Sequence, residues 1–330
     1  MKNFDEILKK GQDTDASDIH ITAEEKIFFR KAGRLERDEE SEIISQEILK
    51  EWIEKILDKN EQKRYHQEKE LDKAFENQWG RYRINFYWEM GRPAVSIRVL
   101  NRELRDLDSG EYPEILKELL KCENGLILIT GTTGSGKSTT LAAMIEELNS
   151  TRELSIITIE DPVEYIFKNR KALIRQREIG QDTLSYAAAL KSILRQDPDV
   201  IMAGELRDSE SIEAALTAAE TGHLVLSTLH TNGAVETINR IVDVFPAEKQ
   251  QQIRIQLSMV LRGVISQQLI QNKKGSRTAV FEILVVNTAA ASHIASGRVN
   301  QLGSVIESGR KAGMISMENY IDELKKKGIV

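Results

Sequence analysis

The sequence predicts an α/β protein in two parts, a smaller N-terminal α/β module and a larger C-terminal one built on a parallel sheet. Three observations carry this. Beyond residue 113, apolar runs of strand length alternate with helical patterns, which implies a parallel sheet with helices on both faces. Residues 1–100 instead hold two strand–turn–strand patterns around one helical stretch. Between the halves, NRELRDLDSGEYP is polar and contains Gly110 and Pro113, so 101–113 reads as a linker.

In the N-terminal module, EKIFFRKAGRLER alternates around AGR, which predicts two strands and a turn. SQEILKEWIEKILDKNEQKRY follows, with Ile48, Trp52, Ile56 and Leu57 at helical spacing. GRYRINFYWEMGRPAVSIRVL predicts a second hairpin that turns near Gly91–Pro93. Side chains alternate along a strand, so Tyr82, Ile84 and Phe86 share one face and Arg81, Arg83 and Asn85 the other. On the second strand Val95, Ile97 and Val99 share a face and Arg98 points away.

In the C-terminal module (114–330), GLILITG, LSIITIED, DVIMAGE and HLVLSTLH read as buried strands. SYAAALKSILRQ and DSESIEAALTAAETG read as helices, the second with Asp208 or Ser209 as N-cap and Gly222 just past its end. The C-terminal stretch, ending SMENYIDELKKKG, is helical in pattern.

Bulk properties narrow the function. Of 330 residues, 40% are hydrophobic and 30% charged, with a net charge of −6. That balance argues against broad binding to nucleic acid, so none is expected as a partner. The single cysteine, Cys122, excludes an internal disulfide and a cysteine-rich zinc site. No apolar leader opens the chain, and no run approaches the ~18–20 apolar residues of a membrane span. A cytoplasmic protein is expected, with any membrane association through a partner or a surface patch.

GTTGSGKSTT, residues 131–140, fits the phosphate-loop pattern G-x-x-x-x-G-K-[ST]. The strand GLILIT precedes it and the helix KSTTLAAMIEEL follows. Backbone N–H groups from Gly131 through Thr139 (Gly131, Thr132, Thr133, Gly134, Ser135, Gly136, Lys137, Ser138, Thr139) can then surround a nucleotide's phosphates. Lys137 would neutralise the β/γ oxygens of ATP, and the Ser138 hydroxyl would ligate Mg²⁺. Two further strands end in acids: Glu160 and Asp161 on one, Glu205 on the other. Carboxyl ends of parallel strands lie on the phosphate-loop side. Carboxylates there can ligate Mg²⁺, directly or through water, and one can deprotonate an attacking water, which favours hydrolysis. His223 and His230 bracket LVLSTL; seven residues apart on a strand they face opposite sides, ~23 Å apart when fully extended, so they do not share one metal.

GTTGSGKSTT, IITIEDPVEY, LRQDPDVIMAGELRD and TGHLVLSTLHTNGAVETINRIVDVFP occur in this order. They resemble the Walker A, Asp box, Walker B and His box of the type II/type IV secretion ATPase superfamily. QREIGQDTLSYAAALKSILRQDPDV, VDVFP and GVISQQLI resemble most its pilus retraction (twitching motility) motors, and ASDIHI resembles that family's N-terminal domain. The resemblance implies a RecA-like P-loop ATPase core, a PAS-like N-terminal domain and a hexameric ring. ATP would bind between the two domains, and ring movements would pass to an inner-membrane platform protein of a pilus machine. It implies that His230 senses the phosphate end, that His223 is a partner in the same box, and that Arg81, Arg83 and Arg98 reach phosphates. Two divisions of labour are open: Glu205 as general base with Glu160 on Mg²⁺ or water, or the reverse.

The chain also departs from the family pattern. Thr132 stands where proline is common, and AAASHIASGR replaces a helix that in retraction motors reads close to A-I-R-N-L-I-R-E. Pilus assembly and type II secretion ATPases share the chemistry, but they usually carry a four-cysteine zinc insert and a larger N-terminal region. A P-loop kinase or transferase, and a regulatory nucleotide-binding module without turnover, are the readings of other classes.

Overall fold

The computed structural model describes residues 4–31, 33–100, 104–109, 111–273 and 275–330. It contains two compact units, Met1–Arg102 and Glu103–Val330. Of the expected linker, 101–103 and Gly110 lie outside the described residues, and Leu107 is buried in the second unit's core.

Among the described residues the first unit holds an antiparallel six-stranded sheet and three helices. Its elements are α1 (Phe4–Asp13), β1 (Ala16–Thr22), β2 (Phe28–Lys31), β3 (Arg34–Arg37), α2 (Gln46–Ile56), α3 (Lys59–Glu68), β4 (Glu70–Asn77), β5 (Gly80–Glu89) and β6 (Arg92–Leu100). The strand order is β3-β2-β1-β6-β5-β4. The β2–β3 turn uses Gly33 at φ 83°; Ala32 of the expected AGR turn is outside the described residues. The β5–β6 turn sits on Met90 and Gly91 (φ 50° and 77°), between the paired Glu89 and Arg92. Two positive φ values in a two-residue loop match the strands' right-handed twist. Tyr82, Ile84 and Phe86 are fully buried, as the alternation predicts.

The expected single helical stretch is two helices. Leu57 is extended, and Asp58 starts α3 by accepting from the N–H groups of Asn60 and Glu61, while the Glu61 carboxylate accepts from Asp58 N–H. That reciprocal cap satisfies donors a continuing helix would not leave open. The buried stripe is Leu49, Trp52 and Ile53, with Ile48 and Ile56 only partly covered.

The second unit comprises α4 (Ile115–Leu119), β7 (Gly125–Thr130), α5 (Lys137–Thr151), β8 (Ser155–Glu160), β9 (Leu173–Glu178), α6 (Tyr186–Ile193), β10 (Val200–Ala203), α7 (Ser209–Glu220), β11 (Leu224–Leu229), α8 (Ala234–Asp243), α9 (Ala247–Val260), β12 (Leu261–Gln271), β13 (Arg277–Val285), α10 (Thr288–Ala295), α11 (Leu302–Ser308) and α12 (Met317–Lys326). Its sheet runs β13-β12-β7-β11-β10-β8-β9. All neighbours are parallel except β12 and β13. β7 is buried at every residue because it is central and covered on both faces. One core, around Ile157, Ile201, Val225 and Leu257, fills one side of the sheet; the other, around Ile127, Met144 and Phe281, fills the opposite side. Asp208 is the N-cap of α7, and Gly222 follows its end at φ 104°.

β9, β12 and β13 extend the sheet beyond the four expected strands. In β9 (LIRQRE) the polar residues mask the strand, and pairing with β8 imposes it. Among the described residues no helix is long and apolar enough to cross a membrane.

Phe281 is fully buried against Tyr112 and Tyr320, with ring centroids at 6.3 Å and 5.4 Å. Phe281→Ala is expected to destabilise the second unit by about 3–5 kcal/mol, and Phe281→Leu by clearly less, in urea unfolding followed by circular dichroism.

Candidate active site

The loop between β7 and α5 is shaped by glycines. Gly131, Gly134 and Gly136 have φ of 147°, 79° and 89°, where a side chain would be strained. Gly136 leads directly into α5, whose first residues, Lys137, Ser138 and Thr139, present the helix N-terminus to the loop. Lys137 curls back: its Nζ donates to the carbonyls of Gly131 (2.7 Å) and Thr132 (3.0 Å). The side chain is buried, which pulls its pKa below the ordinary lysine value. The charges of Glu205 and Glu164 act in the opposite sense.

The carboxyl edge of the sheet brings the other groups in. β10 pairs with β8 and β11, and β11 with β7, in register, so their ends reach the same level. Beyond β11, His230 Nδ1 lies 3.5 Å from both Lys137 Nζ and Thr133 Oγ1. Its Nε2 lies 3.4 Å from Glu205 Oε1. The other Glu205 oxygen accepts from Arg207 Nε at 2.9 Å. Lys137, His230, Glu205 and Arg207 therefore form one chain of alternating donors and acceptors across the strand ends.

Glu160 ends β8 in a different environment. It is buried; its Oε1 accepts from the Thr158 hydroxyl (2.7 Å) and Gln176 Nε2 (3.1 Å), and its Oε2 from Glu164 N–H (3.4 Å). Burial raises its pKa above the ordinary carboxylate value, and these three hydrogen bonds only partly offset that. Asp161 follows on a cis bond to Pro162. The Thr139 hydroxyl is 2.9 Å from Tyr165 OH. Among the described residues Glu160 and Asp161 belong to no cluster of three potential metal ligands; the one such cluster is Asp106, Asp108 and Glu147.

His223 is not brought to this group. It precedes β11 at the sheet's amino-terminal edge, where Nδ1 lies 2.9 Å from Ala218 O and 3.2 Å from Thr221 Oγ1. It lines a cavity there with Cys122 and Arg152. In the first unit Arg83 and Arg98 are paired across β5 and β6. Arg81 bridges Glu76 (3.3 Å), Arg83 bridges Asp72 (3.1 Å) and Arg98 bridges Asp18 (3.2 Å).

Sequence reasoning missed Glu164 and Arg207 in this site. Both stand in stretches it quoted, EDPVEY and GELRD, but neither is at a strand end.

The profile of the type II/IV secretion system protein family matches residues 1–323. An uncharacterised Escherichia coli protein, YggR, is 43% identical over 96% of both chains. The type IV pilus retraction ATPase PilT of Pseudomonas aeruginosa is 39% identical over 98% of this chain and 94% of its own. A crystal structure of the pilus retraction motor PilT with bound ADP superposes with a TM-score of 0.93 at 39% identity, covering 100% of this chain and 95% of that one.

Burial keeps the Glu160 carboxyl protonated to a higher pH than an exposed one. The folded chain holds this proton where the unfolded chain has lost it, so this group's contribution falls as pH rises from the ordinary carboxylate value to the folded one. Glu160→Gln is expected to match wild type in stability below about pH 4 and to gain on it as pH rises towards neutrality, in thermal melts across a pH series.

Proposed function

The chain belongs to the type II/IV secretion system protein family, and we propose that it is an ATP-hydrolysing motor that drives type IV pilus retraction. One observation carries the chemistry: a single imidazole, His230, stands within 3.5 Å of the loop lysine and 3.4 Å of Glu205. A terminal phosphoryl group at Lys137 is thereby next to a histidine that can register it and a carboxylate that can take a proton from water. The similarity to a retraction motor with bound ADP supports nucleotide as the ligand.

In this reading, the loop N–H groups and Lys137 hold the phosphates, Lys137 leaving the Gly131 and Thr132 carbonyls for phosphate oxygens. Glu205 accepts the proton of the attacking water, oriented by Arg207 and His230. The products are ADP and inorganic phosphate. Mg²⁺, when bound, offsets charge on the β- and γ-oxygens. The Ser138 hydroxyl suits direct ligation. Glu160 already accepts three hydrogen bonds, which suits a role through water, with Asp161 beside it. From the first unit, Arg81, Arg83 and Arg98 are proposed as donors to phosphate, on the chemical ground that guanidinium binds it bidentately. The working assembly is proposed to be a hexameric ring on a membrane platform protein at the cytoplasmic face.

One observation favours a second reading, a pilus assembly or secretion motor. The helix α10, TAAASHIA, lacks the arginines and glutamate that the resemblance led us to expect in a retraction motor.

Purified chain should release phosphate from ATP with Mg²⁺ and no acceptor; release only with an acceptor would support a kinase. Glu205→Gln should lower kcat by about 10²–10⁴-fold, and Lys137→Met by about 10²–10³-fold. Replacing whichever arginine reaches the transferring phosphoryl group should cost about 10³-fold or more. Wild-type rates in all three arginine variants would remove that assignment. Deletion in the source organism should leave excess static pili and no twitching. Bald cells would favour assembly.

A further inference from the structure

The buried amide of Gln267 has no role in the reading above. It lies on β12, beside the strand that feeds the phosphate loop, and it is 2% exposed. Its Nε2 donates to Ser135 O at 2.9 Å, and its Oε1 accepts from the Thr140 hydroxyl at 2.6 Å. The orientation is forced: a carbonyl only accepts, so the amide nitrogen must face Ser135. The adjacent Ser266 hydroxyl is 2.8 Å from that of Thr130, the last residue of β7. Backbone packs as closely as side chain. A Cβ on Gly131 would stand 2.2 Å from the Gln267 carbonyl oxygen, and one on Gly136 2.8 Å from Gln267 Nε2.

We infer that Gln267 is the positioning residue of the phosphate loop: by holding the Ser135 carbonyl inward, it aims the Gly136 N–H outward at the bound phosphate. The Ser135–Gly136 peptide is trans. In a planar trans peptide the C=O and N–H point in opposite directions. A carbonyl pinned towards β12 therefore turns the next N–H away from β12, towards the phosphate side of the loop. Gly136, at φ 89°, has no Cβ to hinder rotation of this peptide, so the loop needs an external tether. An amide is the side chain that offers a donor to the loop and an acceptor to Thr140 on α5 at once. Gln267 thus ties the loop and the first turn of α5 to the sheet as one body.

The inference rests on the reading that this loop binds nucleotide, and the test separates the two. Affinity of the whole chain for fluorescent ADP with Mg²⁺ is measured for wild type, Gln267→Met and Gln267→Glu across a pH series, with unfolding midpoints recorded in parallel. Gln267→Met fills the space without a donor, and should weaken binding by about tenfold or more among folded molecules. Gln267→Glu can donate to Ser135 only while protonated, a state its burial favours. Its affinity relative to wild type should be close at low pH and fall by about tenfold as pH rises and the acid ionises against the carbonyl. A satisfied core glutamine without a positioning role predicts lowered stability but no pH-dependent affinity ratio. Folded variants that bind as wild type does at every pH would overturn the inference. If Gln267→Met fails to fold, the Gln267→Glu series decides alone. Failure of wild type itself to bind would overturn the nucleotide reading, and the inference with it.

Discussion

A buried ammonium must be paired, and in this chain that requirement organises the site. Lys137 is covered by protein, and its charge is held by two carbonyls of its own loop, with Glu205 and Glu164 nearby. Those carbonyls are available only because glycine lets the loop fold back over the start of α5. The acids arrive because parallel strands deliver their carboxyl ends to one edge. His230 then closes the gap between lysine and carboxylate. As it stands, the arrangement satisfies itself, the ammonium donating to the Gly131 and Thr132 carbonyls.

The two glutamates show how position along the sheet separates roles. Glu160 is the last residue of β8, inside the layer, where burial favours its neutral form. Glu205 lies two residues beyond β10, where Arg207 and His230 reach its two oxygens. Sequence alone left their division of labour open, because both follow apolar runs. Their surroundings support Glu205 as the base, since its carboxylate already faces the lysine through His230.

Legibility in the sequence followed the range of the interaction. The glycine-shaped turn between β7 and α5, the start of α7 at Asp208 or Ser209 and the inward face of β5 rest on neighbours a few residues apart, and each was readable. The α2–α3 break was equally local, signalled by Asp58 and Glu61, yet continuous helical periodicity hid it. β4 and β9 carry polar strands whose conformation comes from pairing partners, so composition misled. Gln267 sits 132 residues from Ser135, and nothing in GVISQQLI announces which glutamine turns towards the loop. Strand length put His223 and His230 far apart, and they stand at opposite ends of β11; the family resemblance joined them in one box, but the chain keeps them apart.

The central claim is that the terminal phosphate lies where Lys137 and Glu205 meet. Its most direct test is a crystal structure with Mg²⁺ and a non-hydrolysable ATP analogue. The account predicts a γ-phosphate oxygen within about 2.7–3.2 Å of Lys137 Nζ, with the Gly131 and Thr132 carbonyl contacts released. A triphosphate tail bound elsewhere, with Lys137 still folded onto those carbonyls, would contradict it.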